Sequence, residues 1–382
     1  MIELQVPRKV FMGSAQVGLR FPAMTSSMIA ARPAAARATR LHALDGLRLV
    51  CALGVAGYHY SVSWRLDGVR LPEYHLPTAS HVLIYGFLGV EMFFLISGFV
   101  IGMSAFDRTP RQFAAARIAR LYPAFWACVV LTAAVVTLWP VSTGVPVSGV
   151  PTVREILVNL TMLAEPAGVR LVDTVYWTLW AELRFYLLFA VLVMWGLTYK
   201  KVAGFATVWL VAAGAGPLLP DWTDPVVMPD FAPYFAIGVA LCLMRRFGPT
   251  PWLWGLVAGG WLLVLPRMAA RVAELRPGFE VPAAPALVII TLAVAALTVI
   301  ALGATDHWNV RRLAAAGALT YPFYLLHQRI GYTVLRGARE GTELPAWLLL
   351  SATVALLLGV AWLVHRFVER PLAPRLRSFV AG

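Results

Sequence analysis

The sequence predicts an all-α, polytopic integral membrane protein with about ten transmembrane helices and both termini cytoplasmic. The first reason is composition. Of 382 residues, 60% are hydrophobic and 13% charged, against about 25% charged in an ordinary soluble domain. The second is patterning. Apolar residues fall into ten runs, about 44–62, 80–104, 119–139, 174–197, 202–219, 229–245, 251–266, 284–304, 313–335 and 346–366. Most approach the ~20 residues a helix needs to cross a bilayer. The third is charge placement. With a cytoplasmic N-terminus, twenty of the 32 Lys and Arg fall inside, nine fall outside, and Arg48, Arg184 and Arg329 lie within spans. That excess follows the positive-inside rule. The formal charge of +13 is thereby a matter of topology, and nucleic acid is not needed to explain it.

Residues 1–42 stand apart. The stretch "MIAARPAAARATR" is rich in Ala and Arg and lacks a core pattern. It also lacks the apolar run of a secretory signal. It reads as a disordered basic cytoplasmic tail, with Met24 and Met28 as alternative starts, ahead of a membrane domain at 43–382. The outer loop 140–173 is long for a compact domain, which suits a functional role. Cys51, Cys128 and Cys242 lie in spans without CxxC spacing and read as packing residues. No metal-ligand spacing appears.

Ionisable groups in apolar spans are costly and are functional candidates by default. The first span, "ALDGLRLVCALGVAGYHY", places Arg48 and His59 eleven residues apart. On a helix that is about three turns, one face and ~16 Å. Asp45 precedes Arg48 by three residues and can pair with it. A snorkelling arginine and an interfacial histidine would give the same spacing. The second span, "GVEMFFLISGFVIG", carries Glu91 among small residues suited to close helix packing. Before the third span, Arg117 and Arg120 share a face at the cytoplasmic entrance. They suit phosphate binding and equally serve as topology signals. In the fourth span, "VYWTLWAELRFYLLF", Glu182 and Tyr186 share a face, and Trp177 and Trp180 suit an aromatic belt. The ninth carries Tyr324 and His327, loosened by Pro322. The last ends at Glu369, Arg370 and Pro371, a basic stop with a helix-terminating proline.

Taken in order, these segments resemble the membrane-bound acyltransferase-3 family, multi-spanning bacterial enzymes that O-acylate polysaccharides, cell-wall glycans and macrolide-type antibiotics. "LDGLRLVCALGVAGYHY", "GVEMFFLISGFVIG", "RIARLYP", "WTLWAELRFYLLF", "LTYPFYLLHQ" and "FVERP" are similar to its six successive motifs. The likeness covers about 43–378. Glu91 stands where Asp is commoner, and Thr178 and Thr320 replace Ser.

The resemblance implies transfer of an acyl group, usually acetyl, from acyl-CoA to a hydroxyl. The acceptor would be a sugar-containing molecule and the setting a bacterial plasma membrane. A hydroxyl needs a positioned base near pH 7, and His59 titrates in the right range. Glu91 or Glu182 is expected to orient the imidazole, as a carboxylate does in a triad. Arg48, Arg117 and Arg120 would meet the polyanionic donor, and Tyr186, Tyr324 and His327 would line the substrate pocket. No Ser–His or Cys–His pairing is visible, which favours direct attack over an acyl-enzyme. A proton-coupled transporter or exporter using Glu91, Glu182 and His59 as a relay is the competing reading.

Overall fold

The computed structural model describes residues 41–275, 281–308 and 310–382. The expected tail lies outside the described residues except for its last two positions. Among the described residues every regular element is a helix. The principal ones are α1 (His42–Ser61), α2 (Gly89–Ala105), α3 (Pro110–Leu138), α4 (Trp177–Met194), α5 (Tyr199–Gly214) and α6 (Ala232–Phe247). They continue with α7 (Pro251–Glu274), α8 (Ala283–Ala301), α9 (Arg311–Leu326), α10 (Arg329–Gly341), α11 (Ala346–Val364) and α12 (Arg370–Ala381).

Seven helical stretches, which contain α2, α3, α4, α6, α7, α8 and α11, are long and apolar enough to cross a membrane. The three other expected spans are helical too. One is α1, which carries Asp45 and Arg48; one is α5, of 16 residues; the third is broken between α9 and α10. On α11 the bulky Trp347, Leu348, Leu356, Trp362 and Leu363 are exposed, as a lipid-facing helix requires.

Two helix ends differ from expectation. The third helix starts at Pro110, not near 119, because Thr109 and Gln112 form a capping box ahead of it. Arg117 and Arg120 therefore sit within a helix. Pro371 does not stop the chain. Residues His365–Glu369 make a π-type turn, and α12 follows with Pro371 in its first turn, where a missing N–H leaves no hydrogen bond unmade. Helix α12 packs along α3, and Arg111 Nε donates to Val380 O at 2.9 Å.

The bundle is built around α6, buried at every position from Ala232 to Met244. It crosses α2 at backbone contact. A Cβ on Gly238 would lie 2.2 Å from Leu95 O, and one on Gly98 2.2 Å from Phe235 O. Beside this crossing, the Phe235 ring stacks on Phe185 with centroids 4.3 Å apart. Helices α5 and α7 pack on α6, while α9 packs on α1 and α11.

The break between α9 and α10 falls at His327–Gln328, five residues beyond Pro322, which is accommodated inside α9. It is held from the far side by Asp173. The carboxylate accepts from Arg329 N at 2.9 Å and Val175 N at 3.2 Å. Arg329 turns back to donate to Val172 O and Gly149 O. Tyr60 donates its hydroxyl to His327 O. The groups freed by the break are thus met inside the protein, as an apolar surround demands.

Two outcomes follow. Gly238→Val destabilises the bundle by ~1–3 kcal/mol, read as a lower melting temperature in detergent. Burial raises the Asp173 carboxyl to about 6, against the pull of the Arg329 and Val175 amides. A carboxyl raised in the folded state adds stability below its unfolded value of 3.8, which is lost as pH rises through about 6. Between about pH 7 and pH 5, wild type gains melting temperature relative to Asp173→Asn, whose side chain does not titrate.

Candidate active site

Helices α2, α3, α4, α9 and α12, with Arg48 of α1, enclose a cavity of ≈ 790 Å³. Its lining on α2 runs from Ile101 to Val90, about three turns or ~16 Å. The mouth is basic, formed by Arg108 and by Arg377 on α12; Arg117, Arg120 and Arg48 follow inward. The inner end is aromatic and hydroxylic, with Phe93, Phe94, Thr178 and Tyr324.

Helical spacing sets the polar groups of the wall. Glu182 and Tyr186 lie one turn apart on α4, and Tyr186 donates its hydroxyl to Glu182 Oε1. Ser97 of α2 donates to the same oxygen. The Arg117 guanidinium lies over the Tyr186 ring, 5.8 Å from its centroid. Arg120 Nη1 meets Glu369 Oε1 at 2.6 Å, and Glu369 Oε2 lies 2.9 Å from His365 Nδ1. At the inner end the hydroxyls of Tyr324 and Thr178 are 3.0 Å apart.

Two imidazoles stand beyond that wall. His327 lies 5.4 Å from Tyr324 and His59 lies 5.3 Å from His327, centroid to centroid. His327 Nδ1 sits 2.7 Å from Tyr324 O. A carbonyl only accepts, so Nδ1 carries the proton. The lone pair is left on Nε2, which is buried with no hydrogen-bond partner among the described residues. His59 Nδ1 faces Ser63 Oγ and Gln328 Nε2, each at 3.1 Å, and Tyr332 Oη at 3.5 Å. Ser63 gives its own proton to His59 O, so its oxygen is free to accept from Nδ1–H.

The expected residues are therefore divided. Arg48, Arg117, Arg120, Glu182, Tyr186 and Tyr324 share the cavity. His59 and His327 adjoin each other behind Tyr324, outside the cavity lining. The expected carboxylate beside His59 is not there. Glu182 bonds within the cavity wall, and Glu91 is ion-paired with Arg271 of α7 at 2.7 Å. Trp177 packs against Phe94 and Phe231.

Sequence reasoning passed over Asp173, Gln328, Ser63 and Tyr332 around the histidines, and Arg108 and Arg377 at the mouth. Gln328 offered a signal: a second polar residue beside His327 in an apolar run. Asp173 had none beyond ending a long loop. Among the described residues, no cluster of three or more His, Cys, Asp or Glu is arranged to hold a metal ion.

Residues 41–366 match the family model described as an acyltransferase domain, that of acyltransferase-3. The chain is 26% identical over 381 residues to "Acyltransferase MdmB" of Streptomyces mycarofaciens, covering 88% of this chain and 92% of that protein. It is 38% identical over 101 residues to "O-acetyltransferase OatA" of Staphylococcus aureus, covering 24% of this chain and 14% of that protein. No solved structure matches. With so much of the chain matched, it belongs to the acyltransferase-3 family and is a multi-pass membrane acyltransferase.

Proposed function

We propose that the protein transfers an acyl group, in the first instance acetyl, from acyl-CoA to a hydroxyl of a sugar-containing acceptor in a bacterial plasma membrane. The observation that carries this reading is the cavity. It is lined by Arg48, Arg117 and Arg120 and by Tyr324, with His327 against Tyr324 and His59 against His327. A ligand suited to it has an anionic head, a long thin arm and a reactive tip. Arginines at the mouth bind phosphates through charge-assisted hydrogen bonds, and the arm brings the thioester to the aromatic end. The OatA relative's name supports oxygen as the acceptor atom and acetyl as the group.

His59 is the base in this reading. With Nδ1–H given to Ser63, Nε2 holds the lone pair. Gln328 presents its donor Nε2 to Nδ1; with Nδ1 protonated the amide is flipped, so that Oε1 accepts from Nδ1–H and the Thr174 hydroxyl accepts from Nε2. The acceptor hydroxyl gives its proton to Nε2 while its oxygen bonds to the thioester carbonyl carbon. The carbon–sulfur bond then breaks, and the imidazolium returns the proton to the departing thiolate. Among the described residues no carboxylate backs the imidazole, so its orientation comes from neutral partners. Tyr324, between the cavity and the histidines, must swing or tilt for the thioester to meet Nε2. Glu182, held by Ser97 and Tyr186, keeps the wall polar where the arm's amides would lie.

Purified protein with labelled acetyl-CoA and a panel of sugar hydroxyl acceptors tests the reading. His59→Ala is expected to lower kcat on the order of 10²-fold or more while CoA binding persists. Full transfer by His59→Ala would remove His59 as the base, and failure of wild type to bind CoA would remove the donor.

A further inference from the structure

We propose that Arg108, Arg117 and Arg377 form a phosphate-binding subsite at the cavity mouth, making the C-terminal helix α12 part of the donor site. The proposal rests on the acyl-CoA reading for its natural ligand, and it concerns a helix beyond the residues matched by the family model.

The three side chains come from three elements: the turn before α3, α3 itself, and α12. All line the same cavity. Three other arginines of this face have committed partners. Arg120 is paired with Glu369, Arg245 with Asp306 and Arg246 with Asp107. Asp107, next in chain to Arg108, gives both its oxygens to Arg246 at 2.8 and 3.1 Å. Among the described residues no carboxylate is paired with Arg108, Arg117 or Arg377. Arg108 Nη1 and Arg117 Nε are buried without a hydrogen-bond partner.

The surroundings also oppose the positive charges. Burial, and then the nearby Arg117 and Arg377 cations, lower the Arg108 pKa from its ordinary value. Three guanidinium groups held together without a counter-charge form an arrangement that an anion completes. A phosphate suits it through charge and through its several acceptor oxygens. The α12 wall is held in place by the Arg111–Val380 hydrogen bond, so the subsite exists before the ligand arrives.

Titration of CoA into the full chain, in nanodiscs of zwitterionic lipid, is the test. Arg377→Gln and Arg108→Gln are each expected to weaken binding about tenfold, the size of one lost charged hydrogen bond, and to flatten its salt dependence. Arg375→Gln, exposed on α12 and off the cavity lining, is expected to leave binding unchanged. Adenosine 3′,5′-bisphosphate, the nucleotide end alone, should bind wild type and lose affinity in parallel in both variants. Affinities within twofold of wild type would overturn the subsite. So would a loss that appears only when anionic phosphatidylglycerol is added, since the occupant is then a lipid headgroup. If wild type binds no CoA, the donor reading fails by itself. The bisphosphate titration still decides the subsite: loss in the variants upholds it, and no binding or equal binding overturns it.

Discussion

A backbone N–H that leaves a helix inside an apolar bundle has no water to turn to, and the Arg329 amide is such a group. Its bond to Asp173 lets the chain break between α9 and α10 where an unbroken helix would carry the next residues away. With the break in place, Gln328 reaches His59 and the backbone of His327 receives Tyr60. The outer loop that ends at Asp173 is thereby tied to the interior. Arg329 reinforces the tie by bonding to Gly149 and Val172 of that loop. Loss of the Asp173 carboxylate would leave a donor unpaired in a place where that costs several kcal/mol.

The site has two chemically different ends. At the mouth, among the described residues, arginines outnumber acids, and Arg108 Nη1 and Arg117 Nε have no hydrogen-bond partner. At the inner end, neutral hydroxyls and two neutral-capable imidazoles meet, and among the described residues no carboxylate joins them. Glu91, which a triad would have placed there, is bound to Arg271 on another helix. An imidazole with neutral neighbours keeps its lone pair more readily than one beside a carboxylate, because a nearby anion favours the protonated form. It gives up the stabilisation of the imidazolium in exchange.

Much of this was legible in the chain. Hydropathy and charge placement marked the helices, because a span must be apolar over its length whatever it packs against. Register along a helix joined Glu182 to Tyr186 and placed Arg48 with Arg117 and Arg120 at one end. Contacts between distant segments were hidden. Arg271 and Glu91 are 180 positions apart in the chain, and nothing local marks either as the other's partner. Arg377 carried the same positive-inside signature as its neighbours on α12, so its turn into the cavity was indistinguishable from a topology signal. The break at His327–Gln328 was not foreseen: the chain reads as one span, loosened at Pro322, because proline is the visible disturber of a helix. The actual cause lies in Asp173, on another element. The start of α3 was set too late because its first turns are amphipathic rather than apolar.

A chamber that reaches inward from one face also changes where the membrane insulates. An ion-accessible vestibule lies close to the potential of the compartment it opens on. Were the cavity open to the cytoplasm and filled with ions, the transmembrane voltage would fall mainly beyond it, where Tyr324, His327 and His59 lie. Across a full bilayer one elementary charge is worth about 2.3 kcal/mol per 100 mV, and the same drop would then lie across a few side chains. With His59 as the proposed base, a proton arriving on it would then sit in a concentrated electric field, and the energised state of the cell would enter the energetics of group transfer.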